Sequence, residues 1–232
     1  MDHSICELHY FLQRLSNYEV SLYYRIKSLI FYKFKSNDEF KTIVKLYNTK
    51  QTFNKVYEKY GNISLWDTSL ITDMEGIFAR CLNFNENINN WDVSNVINMK
   101  CMFSGCENFN QPLDSWDVSN VVNMESMFSE CINFNQPLDS WNVCNVENMD
   151  SMFYDCENFN QFLNSWNVRN VILMCSMFES CTNFNQPLDS WDVCNVIDMH
   201  DMFRSCKNFN QELNKWNISN VKNISGMFIE CY

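Results

Sequence analysis

Glu125, Asp150, Cys175 and His200 follow one another at intervals of 25 residues, and Asp201 stands beside the histidine. If the chain stacks at that interval, a thiol and an imidazole become neighbours, with a carboxylate one step further along. Two chemistries use such a set: a zinc site, which takes cysteine, histidine and carboxylate ligands, and a nucleophile activated by an adjacent base. Glu75 and Lys100 fill the same position elsewhere, and no neighbouring motif resembles a cleft or an oxyanion hole. The expected reading is a solvated flank, with no catalytic residue, no metal and no cofactor. Cysteine also recurs at Cys81, Cys106, Cys131, Cys156, Cys181, Cys206 and Cys231. Parallel side chains in a column do not easily adopt the disulfide dihedral, so this row is expected to pack as small buried hydrophobes.

The element that positions these residues is a repeat. All seven tryptophans, from Trp66 to Trp216, are spaced by 25, and the phenylalanine and methionine columns keep the same register without an insertion. A unit this short cannot bury its apolar face alone, so neighbours must stack. Within one unit, Leu113, Trp116 and Val118 suggest a short extended stretch, with Trp116 and Val118 on one face by period two. From Val121 the spacing becomes three or four, through Met124, Met127, Phe128 and Cys131, and suggests a short helix with Asn123 at its N-cap. The expected fold is therefore an α/β repeat solenoid of short parallel strands and short helices.

The strands of such a fold would expose a polar column: Asp92, Asp117, Asn142, Asn167 and Asp192, flanked by Ser94, Ser119 and Arg169. These residues form either hydrogen-bonded ladders or a surface for a protein or glycan, and their oxygens also suit calcium. One central repeat departs from its neighbours: Phe162 replaces a proline, Arg169 a serine or cysteine, and Leu173 an asparagine. Aromatic residues and arginine are favoured interface anchors, so Phe162 and Arg169 join the expected partner-binding set.

The pattern Leu-x-x-Trp-x-Val-x-x-Val-x-x-Met-x-x-Met-Phe-x-x-Cys-x-x-Phe, running from Leu113 to Phe134, resembles the BspA-like branch of leucine-rich repeats. It is similar above all to the Trp-Asp-Val-Ser-Asn-Val repeat of bacterial surface proteins and lipoproteins, also found in protists and large DNA viruses. The resemblance implies a leucine-rich-repeat-like stack and no catalytic residues.

Residues 1–60 read differently. Helical spacing links Leu8 to Leu15, Leu22 to Ile30, Phe40 to Tyr47 and Phe53 to Tyr60, with starts at Ser36 to Asp38 and at Thr52 and a stop at Gly61. They are expected to form a helical N-terminal cap on a repeat domain spanning 61–232. Ten Lys or Arg face six Asp or Glu in the first part, and seven face twenty-two in the second. The acidic repeats argue against a nucleic-acid partner, whose binding rests on Lys and Arg. Arg25, Lys27 and Lys33 interrupt the one apolar-looking stretch, so no membrane span is expected. No signal-peptide or lipobox pattern stands at the N-terminus, which favours an intracellular location, in a host cytoplasm if the source is viral, over export as an adhesin. At the far end the strand near residues 213–218 would leave an unpaired edge open to end-to-end self-association. Together these features point to a non-enzymatic scaffold that binds a protein through its exposed strand face, with a surface adhesin or a metal or cysteine enzyme as the alternatives.

Overall fold

The computed structural model describes residues 31–231. The expected helical stretches at Leu8 to Leu15 and Leu22 to Ile30 lie outside these residues. Helix α1 spans Asn37–Tyr47 and helix α2 spans Phe53–Tyr60. The Ser36 side chain accepts the Glu39 N–H and starts α1, which buries Phe40, Ile43, Val44 and Tyr47. Gly61, at φ 74°, closes α2. Residues Tyr32 and Phe34 form the first rung, because the Asp67 N–H donates to the Tyr32 carbonyl and the Phe34 N–H to the Asp67 carbonyl. The Phe40 and Tyr47 rings then meet Trp91 and Trp66 edge-on at 5.4 Å each.

The α/β solenoid of parallel strands and short helices expected above, leucine-rich-repeat-like in form, is not what the repeats build. Among the described residues, α1, α2 and a single 3-10 turn at Ile63–Leu65 are the only helices, and parallel pairing is limited to isolated bridges such as Asn98 with Asn123. Residues 113–119, expected as the strand, make main-chain bonds only within their own repeat, as from the Trp116 N–H to the Leu113 carbonyl. The neighbouring repeats are joined where a helix was expected. The N–H groups of Met99, Cys101, Phe103 and Gly105 donate to the carbonyls of Asn123, Glu125, Met127 and Ser129 at 2.7–2.9 Å.

Two features keep this segment from being either element. A parallel ladder uses both the N–H and the C=O of alternate residues. Here the carbonyls of Met99, Cys101 and Phe103 turn back to the N–H groups of Met102, Ser104 and Cys106. A helix needs a run of right-handed residues, but φ is positive at Cys101 and Gly105, at Ser126 and Glu130, and again 25 residues on at Ser151 and Asp155. Successive tight turns result, with four N–H groups of each repeat aimed at the next.

The side-chain columns hold the turns in register. Trp116 and Trp141 lie 6.3 Å apart within 3° of parallel, and Phe128 stacks between Phe103 and Phe153 at 5.5 and 5.7 Å. Their polar atoms are also satisfied: the Trp141 Nε1–H donates to the Leu113 carbonyl and the Cys156 thiol to the Phe128 carbonyl, each at 2.9 Å. Every cysteine from Cys81 to Cys231 is free. In the last described repeat the N–H groups of Ile224, Gly226, Phe228 and Glu230 donate to no described residue. Residues 213–218, where an unpaired strand edge was expected, form no strand.

Candidate functional site

Three exposed features carry polar chemistry. The first is the aspartate and asparagine column, which serves neither as a ladder nor as a bare surface. Each member folds its own turn: Asp92 Oδ1 accepts from the Ser94 N–H at 3.1 Å and from its hydroxyl at 2.6 Å. Asp117 holds the Ser119 N–H in the same way, Asn142 that of Cys144, Asn167 that of Arg169 and Asp192 that of Cys194. These are Asx turns, in which a short polar side chain stands in for main chain. The Ser119 bonds hold the Asp117 carboxyl below the usual carboxylate range. Between repeats the work passes to a neighbouring residue, as when the Asn120 amide donates to the Ser94 carbonyl at 2.7 Å.

Of the residues expected to bind a partner, Asp92, Asp117, Asn142, Asn167, Arg169 and Asp192 stand exposed, while Ser94 and Ser119 are half-buried. Arg169 reaches across one step to Asp192, with Nε 3.8 Å from Oδ2. Phe162 is 46% exposed. It follows Gln161, whose amide donates back to Asn135.

The second feature is the column that opened the sequence reading. Cys175 Sγ lies 3.1 Å from His200 Nε2, and His200 Nδ1 lies 2.8 Å from Asp198 Oδ1. Asp150 accepts the Cys175 N–H at 2.8 Å, and Glu125 pairs with Lys100 at 2.9 Å. The histidine is thus oriented by Asp198, the residue two positions before it, and not by Asp201. Burial, followed by the Asp150 charge, pushes the Cys175 thiol up to about 11. The Asp198 hydrogen bond raises the His200 imidazole. Reactive cysteines sit in electropositive surroundings that favour the thiolate, whereas carboxylates crowd this one and keep it protonated at neutral pH. No group of three metal-ligating side chains is assembled among the described residues.

The third feature escaped the sequence reading. On either side of each buried phenylalanine, as in Asn133-Phe134-Asn135, an asparagine points outward, and the two asparagine columns flank a shallow groove of 870 Å³. All nine lining residues are asparagine. In the outer column, amides pair head to tail, Asn108 to Asn83 at 3.2 Å and Asn158 to Asn133 at 3.5 Å. In the inner column, Asn135 Oδ1 accepts the Asn160 N–H at 3.0 Å and the Gln161 amide at 2.9 Å. Those two donors fix which end of the amide is oxygen. The signal was present as Asn-Phe-Asn in six consecutive repeats, with period two around a buried ring, but it was absorbed into an overall abundance of asparagine.

No helix among the described residues is long and apolar enough to cross a membrane. No curated protein and no solved structure matches the chain. Residues 47–165 and 138–232 match the family described as Mycoplasma protein of unknown function, DUF285. These matches span the repeat array and well over half of the sequence, and the chain belongs to the DUF285 family.

Proposed function

We propose that this chain is a non-enzymatic scaffold that binds a basic protein partner along its exposed Asx row. One observation carries the reading. At Asp92 and Asp117 one carboxylate oxygen holds the turn, and the other is left toward solvent at fixed spacing on a side chain that cannot wander. Rows of pre-positioned carboxylates bind with little ordering cost, and the net charge of the repeats steers a cationic partner toward them. The resemblance to BspA-like proteins implies no catalytic residues and no defined activity, so the binding role rests on the row itself. The free thiols throughout the array suit a reducing, intracellular setting.

The repeat supplies its own controls, because asparagine already occupies this position at Asn142, Asn167 and Asn217 and holds the turn equally well. Changing Asp92, Asp117 and Asp192 together to asparagine keeps the acceptor and removes three charges. Affinity capture with the full chain and with this triple variant tests the reading. A partner held by the former and lost from the latter supports it, and equal capture by both refutes it.

A further inference from the structure

The asparagine groove lies outside the Asx row, and its free hydrogen-bonding groups differ in kind. In the inner column the oxygen is committed to the following repeat, as at Asn110, Asn135 and Asn160. The Nδ2 groups of the same residues donate to nothing among the described residues. The groove therefore presents a row of N–H donors at Asn85, Asn110, Asn135 and Asn160, one per stacking step. Across from it the outer-column amides keep one acceptor site open, and Asn108 and Asn158 keep one donor as well. The lining holds no charge and no aromatic or aliphatic residue.

We propose that this groove binds an uncharged, linear, β-linked polysaccharide. Three properties select that class. A neutral lining offers no counter-charge to an anionic or cationic polymer. An all-amide lining gives apolar or aromatic side chains nothing to pack on, which removes the usual anchors of a peptide. Hydroxyls, in contrast, both donate and accept, and match the amides on both sides. Spacing selects further. Hydrogen-bonded repeats stack about 4.8 Å apart, whereas the same-side carbonyls of an extended peptide recur at twice its rise of about 3.4 Å and fall out of step. A β-linked pyranose chain advances one ring at a time, close to one stacking step.

The test is isothermal titration calorimetry of the full chain with cellohexaose and with chitohexaose, alongside the trisaccharide of each. The expected result is binding of one of the two hexamers, with the trimer weaker because it spans fewer steps. The discriminating variant is Asn135→Asp with Asn160→Asp, which preserves Oδ1 as the acceptor that joins repeats and removes the Nδ2 donors. It should weaken the hexamer about tenfold, as expected for the loss of about two hydrogen bonds, with an unchanged near-ultraviolet circular dichroism spectrum. The Asp92, Asp117 and Asp192 triple variant should bind the hexamer as the parent does, which separates this site from the protein-binding row. Absence of binding by both hexamers at millimolar concentration, or equal binding by the Asn135 and Asn160 variant, overturns the proposal. So does binding of a polar serine and asparagine decapeptide in place of both sugars.

Discussion

At the scale of single residues, the surroundings of a side chain set its protonation. Cys175, His200 and Asp198 are aligned as nucleophile, base and orienting acid would be. Yet Asp150, Asp198 and Asp201 all stabilise the protonated thiol and the charged imidazole. The consequence for stability has a definite sign. A histidine whose folded pKa is raised above 6.5 contributes fully below the unfolded value, and that contribution is lost as pH rises through the folded one. The urea midpoint of the parent should therefore exceed that of a His200→Gln variant most at about pH 5, and the gap should close above neutrality. A gap independent of pH would mean that the Asp198 pairing does not hold in solution. The buried thiols give a second test. Desolvation raises Cys131, Cys156 and Cys181 well above the ordinary thiol range, and their S–H groups are engaged. Brief alkylation of native protein at pH 8, read by mass spectrometry, should label Cys144 on the exposed turn and leave these three unmodified.

At the scale of elements, the difference between expectation and structure comes down to backbone sign. The apolar columns were legible because burial writes itself into spacing: Trp116, Val118, Val121, Met124, Phe128 and Cys131 are all buried, as their period required. The spacing of Phe40 to Tyr47 and of Phe53 to Tyr60 coincides with α1 and α2 for the same reason. The element type in the repeats was not legible from spacing, since a run of turns with two left-handed residues per repeat places apolar side chains much as a short helix does. The cue lay in the glycines. Gly76 and Gly226 fall in one left-handed column and Gly105 in the other, while Arg80 and a set of serine, cysteine and acidic residues fill the remaining places. An L-residue in this region bears a cost of about 1–2 kcal/mol that glycine avoids. Ser151→Gly should accordingly raise stability by roughly 0.5–1 kcal/mol in urea denaturation, after allowance for the greater entropy of glycine in the unfolded chain. Gly105→Ala should lower stability by about 1 kcal/mol, because φ is 73° and the added Cβ would stand 3.4 Å from the Arg80 backbone. If both changes proved neutral, the positive φ values would be wrong, and with them the correction to the expected helix.

At the scale of the whole molecule, the main-chain bonds that cross from repeat to repeat run both ways. Four N–H groups of a unit donate forward, as from Met99 to Asn123, and others donate back, as from Val122 to Ile97 and from Asn133 to Glu107. At the start of the array, Lys41 of α1 binds Asp73 at 2.6 Å. This pairing on both sides makes stability local, because each unit is completed by its two neighbours and nearly independent of more distant ones. Deletion of residues 133–157 removes one full period and joins Ile132 to Asn158, so each tryptophan, phenylalanine and cysteine column closes without a change of phase. That shortened chain should keep the parent's near-ultraviolet tryptophan signal per repeat and unfold in one transition at modestly lower urea. Deletion of residues 133–145 removes about half as much chain but puts Val146 where Asn133 stood. Buried columns then meet exposed ones, Trp166 loses the Leu138 carbonyl that accepts its Nε1–H, and the array should lose its native tryptophan signal from that point on. The larger deletion should be the milder one, and the opposite order would show that the repeats are not the folding unit.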